Sequence, residues 1–70
     1  MQNNLKSIRL SKGLTQKEVA TMLGFKSEDR ICRWEKGNAM PNVKNLLMLG
    51  KIYNVAADQL YKINKELSIL

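Results

Sequence analysis

The 70-residue chain predicts an all-α fold, a compact bundle of five short helices in one domain spanning residues 1–70. Three observations carry that expectation. Apolar residues recur at the three-and-four spacing of a helix face in one segment after another. With 4 Gly and 1 Pro, breakers are few, and β-branched residues are sparse, so helix is favoured over sheet. Short polar residues that cap helices stand where those segments begin. At 44% hydrophobic the chain can fill one small core, and 70 residues leave no room for a second domain.

The first helix is expected over about residues 4–12, capped by Asn3 or Asn4, with Leu5, Ile8 and Leu10 on its apolar side and Lys6, Arg9 and Lys12 on an adjoining stripe. Gly13 ends it. Thr15 followed by Glu18 is a capping box that opens a second helix, 16–23. Val19, Ala20 and Leu23 share a face, and Gly24 supplies the left-handed residue that closes it. Ser27 is the next cap, opening a third helix over 28–36. Glu28 and Asp29 place negative charge on its first turn, where the dipole favours it, and Gly37 stops it. GNAMPN is a loop, in which Asn42 after Pro41 caps a fourth helix over 43–53. Its core face reads Val43, Leu46, Leu47, Leu49 or Gly50, and Ile52 or Tyr53. Gly50 inside a helix costs about 1 kcal/mol relative to Ala, which points to a close contact there. A fifth helix, 57–66, carries Leu60, Ile63 and Leu67 in register.

On a helical wheel the third helix puts Ser27, Ile31 and Trp34 on one edge, and Glu28, Asp29, Cys32, Arg33 and Lys36 on the other. So short a helix with so broad a polar face presents that face to a partner. With 12 Lys+Arg against 6 Asp+Glu and a net charge of +6, a polyanion is the economical choice.

The pattern Arg9, Gly13-Leu14-Thr15-Gln16, Ala20, Gly24, Ile31-x-x-Trp34-Glu35-x-Gly37 and Pro41 resembles the Cro/cI-type (XRE-like) helix-turn-helix of bacterial and phage transcriptional regulators. The match spans most of the chain in spacing as well as residue type. It implies a bundle of the lambda-repressor-like DNA-binding type, with helices two and three forming the helix-turn-helix. It also implies that Arg9 pairs with Glu35 as a structural ion pair and that Gln16 anchors a phosphate. Two positions depart from the family pattern. Ile31 comes one residue later after the turn glycine, so the turn Phe25-Lys26-Ser27 is longer, and Ala56 stands where relatives carry a hydroxyl cap.

A helix in the major groove reads base edges from its first turns and outward face. The candidates for base contact are Ser27, Glu28, Asp29 and Arg33, with Arg30 and Cys32 at the margin. Arg33 leads, because a guanidinium matches guanine O6 and N7. Glu28 and Asp29 can accept from cytosine N4, or serve only the helix dipole and pair with Arg33 or Lys36. Phosphate contacts are expected from Gln16, Lys17, Lys26, Lys36, Asn38 and Lys44, which lie at the helix-two start or in or beside the flanking loops. Trp34 reads as core rather than as a stacking platform. Cys32 reads as a small side chain near the bases, since no second Cys exists to resolve an oxidised thiol.

The leading expectation is a homodimeric repressor on a two-fold operator with half-sites about 10 base pairs apart. It dimerises through Leu60, Ile63, Leu67, Ile69 and Leu70, because one helix-turn-helix has too small an interface to be specific alone. The alternative is a protein-interaction module of antitoxin or adaptor type that uses the apolar C-terminal helix. No enzyme is expected: there is no His, no nucleophile–base pair and no phosphate-cradling Gly loop. No metal, cofactor or small-molecule ligand is expected either. A lone Cys, no long apolar run and no apolar leader point to the bacterial cytoplasm, at the nucleoid when bound.

Overall fold

The computed structural model describes residues 3–61, and places in them four α-helices: α1 (Leu5–Ser11), α2 (Gln16–Met22), α3 (Asp29–Lys36) and α4 (Val43–Tyr53), followed by a 3-10 turn at Ala57–Gln59. The fold class is the expected one, but the described residues hold four α-helices and not five: where the fifth was expected to begin, Ala57–Gln59 is a 3-10 turn and Tyr61 pairs with Asn3, and positions 62–70 lie outside the described residues. Ala56 is extended, and no side chain caps the turn that follows. This fits the missing hydroxyl.

The caps explain where the helices start. Thr15 and Glu18 form the reciprocal box, with Glu18 N–H donating to Thr15 Oγ1 at 3.0 Å and Thr15 N–H to Glu18 Oε1 at 2.9 Å. Asn42 Oδ1 accepts from Asn45 N–H at 2.8 Å and opens α4. One start chooses between two expected residues, and one differs from expectation. At α1 it is Asn3 whose Oδ1 accepts from Leu5 N–H (3.1 Å), while its Nδ2 donates to Trp34 O (3.1 Å) and the Asn4 amide donates to Gln59 O. Asn4 N–H also donates to Leu60 O at 2.8 Å, and Asn3 pairs with Tyr61 in an antiparallel bridge. Two adjacent asparagines thus join the start of α1, the end of α3 and the segment after the 3-10 turn. At α3 the helix begins one residue late. Glu28 occupies the cap position without a side-chain cap, and Ser27 Oγ lies 3.4 Å from Asp29 N–H, a weak bond. The longer turn moves Ser27 off the capping position.

All four helices end alike. An N–H bonds back five residues, Leu14 to Arg9, Phe25 to Ala20, Asn38 to Arg33 and Val55 to Gly50, the Schellman arrangement that needs a left-handed residue just past the helix. Asn54 takes that conformation at the end of α4 (φ 56°) without being glycine. Gly50 owes its place to this last ending. A Cβ there would sit 3.0 Å from Val55 O, so the close contact inferred from sequence is with the loop that caps α4 rather than with another helix.

The core holds Leu5, Val19, Ala20, Ile31, Trp34, Leu49, Tyr53, Leu60 and Tyr61, with Ile8, Leu14, Leu23, Phe25, Leu46 and Ile52 packed against it. Trp34 is core, as its wheel position implied. Three expected core residues are outside: Leu10 is 57% exposed, Val43 73% and Leu47 56%. Leu10 lies on the charged side of α1. Val43 and Leu47, one turn apart, form an apolar ridge on the outer side of α4, where the helix has no neighbour among the described residues.

Tyr53 is fully enclosed, and burial, reinforced by the nearby Glu35 carboxylate, pushes its phenol up to about 12. A phenol held neutral in the fold above its ordinary pKa stabilises the protein fully below pH 10 and loses that contribution as pH rises from 10 through 12. Urea midpoints are therefore expected to hold level from pH 7 to 9 and then fall. Tyr53→Phe should flatten the fall, leaving the smaller part due to Tyr61, whose buried phenol is also raised.

Candidate nucleic-acid interface

The site is built on a rigid base. Arg9, 6% exposed, comes off α1 and meets Glu35 near the end of α3. Its Nε donates to Oε2 at 2.6 Å, Nη2 to Oε1 at 3.2 Å, and Nη1 to Leu14 O at 2.8 Å. The guanidinium is thus bonded on all three nitrogens, and the Glu35 hydrogen bond holds its pKa above the ordinary arginine value. The expected pair is present, and it includes a third member. Gln16 Nε2 donates to Glu35 Oε1 at 3.0 Å, so the ion pair clamps α1, α3 and the first residue of α2 together.

That clamp bears on the expected phosphate anchors. One Gln16 amide hydrogen is committed to Glu35, which orients the side chain and leaves a second N–H at the amino end of α2. Lys17 reaches across the turn, its Nζ donating to Lys26 O at 3.1 Å. An ammonium has three donors, so the bond steadies the turn without using up the cation. Lys26, Lys36, Asn38 and Lys44 are exposed.

α3 turns Ile31 and Trp34 inward against α2. Asp29, Arg30, Arg33 and Lys36 are exposed, and Glu28 and Cys32 half-buried. Among the described residues neither Glu28 nor Asp29 forms an ion pair with Arg33 or Lys36. Asp29 occupies the first turn of α3. Ser27 is exposed in the turn, outside the helix.

The dimerisation residues fare differently. Leu60 is fully buried in the core and cannot face a partner; the 3-10 turn and the backbone bond from Asn4 point it inward. Ile63, Leu67, Ile69 and Leu70 lie outside the described residues. Sequence reasoning also left Arg30 at the margin, whereas the structure seats its guanidinium carbon 4.7 Å from the centre of the Phe25 ring. The signal available in sequence was the aromatic residue in the lengthened turn.

Two short helices joined by a tight turn, locked at their ends, with a cationic outward face on the second, define a DNA-binding helix-turn-helix. A helix-turn-helix family profile matches residues 5–60, and the chain belongs to that family, of the Cro/cI type. This is a class of DNA-binding transcription regulators, not of enzymes. The chain is 36% identical over 56 residues to the HTH-type transcriptional activator BcrR of Enterococcus faecalis, a match covering 80% of this chain and 27% of that protein. Among solved structures it is similar to a candidate DNA-binding protein of Bacteroides fragilis, with TM-score 0.77 and 29% identity, covering 84% of this chain and 94% of that one. It is also similar to the hypothetical transcription factor NHTF of Neisseria, with TM-score 0.73 and 25% identity, covering 96% and 77%. No helix among the described residues is long and apolar enough to cross a membrane.

Proposed function

We propose that this chain is a sequence-specific, cytoplasmic repressor that binds a two-fold operator as a homodimer, with α3 in the major groove. The observation that supports it most is the outward face of α3, where Arg33 and Lys36 stand exposed while Ile31 and Trp34 fix the helix from behind. Arg33 is the base-reading residue, with Asp29 and Glu28 at the leading end of the helix and Ser27 just before it. Gln16, held by Glu35, anchors a phosphate through its second amide hydrogen and the α2 amino end, and Lys17, Lys26, Lys36, Asn38 and Lys44 flank it. Occupying a promoter is enough to repress it, so the DNA contact of α3 suffices for this role.

Selection of bound duplexes from a random pool tests the reading. An inverted repeat with half-sites about one turn apart supports a dimer. A pool that stays random, with weak binding that salt abolishes, means that the charge is generic.

For the second copy, the support among the described residues comes from α4. Its Val43–Leu47 ridge borders an open apolar groove of about 920 Å³ lined by Met48, Gly50, Val55 and Ala57. So much exposed apolar surface on one helix favours a protein contact. Leu47→Glu is expected to convert a sedimenting dimer to monomer without lowering the melting temperature, because Leu47 contributes little to the core. An unchanged dimer would remove this face from the interface. The same ridge favours the interaction-module reading as second choice, which Arg33→Ala would separate by leaving partner binding intact.

A further inference from the structure

The turn between α2 and α3 carries one residue more than the Cro/cI-type pattern, and its aromatic residue is engaged on two sides. The Phe25 ring meets Trp34 edge to face, with centroids 5.9 Å apart and planes at 70°. Trp34 is core, so the ring is fixed from behind. The Phe25 backbone is held too, its N–H donating to Ala20 O at 2.9 Å. On the other side the Arg30 guanidinium carbon lies 4.7 Å from the ring centre. Arg30 is exposed, and among the described residues none of its N–H groups has an acceptor.

A guanidinium that packs on an aromatic ring leaves its in-plane N–H donors available for an anion. A solvated arginine must surrender rotamer freedom when it binds, whereas one already seated has less to lose. Arg30 is the second residue of α3, at the end of a recognition helix that meets DNA. Its neighbours there are Glu28 and Asp29. Alone, those carboxylates would repel a phosphate; Arg30 and Lys26 supply the opposite charge.

We propose that Arg30, seated on Phe25, is a pre-oriented contact to the DNA phosphate backbone, and that Phe25 is its positioning residue. Phe25, held by α2 and by Trp34, is then the aromatic platform under the start of α3. This assignment rests on the DNA-binding reading above.

The test is affinity against salt concentration for the intact chain, using the duplex recovered by selection. Arg30→Ala is expected to lower affinity about tenfold near 0.1 M salt and to reduce the slope of log K on log salt by about one, the signature of one phosphate contact. Arg30→Lys should keep the slope and lose part of the affinity. Phe25→Leu should weaken binding about threefold with the slope unchanged, and Phe25→Tyr, which keeps the ring face, should restore it. In the Arg30→Ala background Phe25→Leu should cost nothing further, a coupling that general loosening of the fold would not produce. Melting curves confirm that each variant is folded at the assay temperature. Wild-type binding with an indifferent Arg30→Ala overturns the proposal alone. Arg30→Ala that weakens binding while Phe25→Leu acts additively overturns the positioning role. A wild type that binds no duplex at all overturns the DNA-binding reading, and this proposal with it.

Discussion

Glu35→Ala is expected to lower the stability of the protein by roughly 3–5 kcal/mol, the cost of leaving one partner of a buried ion pair uncompensated. Arg9 is 6% exposed and gives two of its three nitrogens to Glu35, so the guanidinium loses its main partner with little exposure to solvent. At about 4–8 °C per kcal/mol for a domain of this size, the melting temperature should drop by roughly 12–40 °C. A drop within error would mean that the guanidinium reaches solvent in the folded state. The reason for the loss has its own control. Replacing both partners, Arg9→Met with Glu35→Leu, should recover much of the stability, because an apolar pair of similar volume carries no desolvation penalty. The double variant should still bind DNA less well than wild type, since Gln16 loses the acceptor that orients it.

Arg33→Ala carries the largest expected effect on recognition. Loss of a bidentate contact to guanine removes about 1–3 kcal/mol of discrimination at one base pair. Selection with the variant should therefore yield the wild-type sequence with one position in each half-site relaxed. Gln16→Ala makes the contrast. A lost phosphate contact weakens all sequences by a similar factor, so the recovered motif should be unchanged and only the affinity lower. If Arg33→Ala weakens every duplex equally, Arg33 touches the backbone and another residue of α3 reads the bases.

Most of the fold was legible because its signals are local. The Thr15–Glu18 box, the Asn42 cap and the glycines past the first three helices each act within one turn of chain, and each appears where its residue types placed it. The misplaced start of α3 shows the limit. Ser27 is a good capping residue, yet the path of a longer turn, with Phe25 packed on the core, carries the backbone past it before the helix begins. Leu10, Val43 and Leu47 show another. Periodicity marks a face as apolar but not what lies opposite it, and α4 meets no partner on that side among the described residues.

For the candidate site the division is similar. Which side chains stand on the polar face of α3 follows from 100° per residue, and the pairing of Arg9 with Glu35 was implied by family resemblance. The sequence by itself determined the class of fold, the helix-turn-helix and the cationic face, because capping, periodicity and charge are properties of neighbours along the chain. Only the tertiary structure decided that Gln16 shares the Glu35 carboxylate, that Leu60 belongs to the core and not to an interface, and that Arg30 sits on Phe25. Those contacts join residues on different elements, and their geometry exists only once the helices have packed.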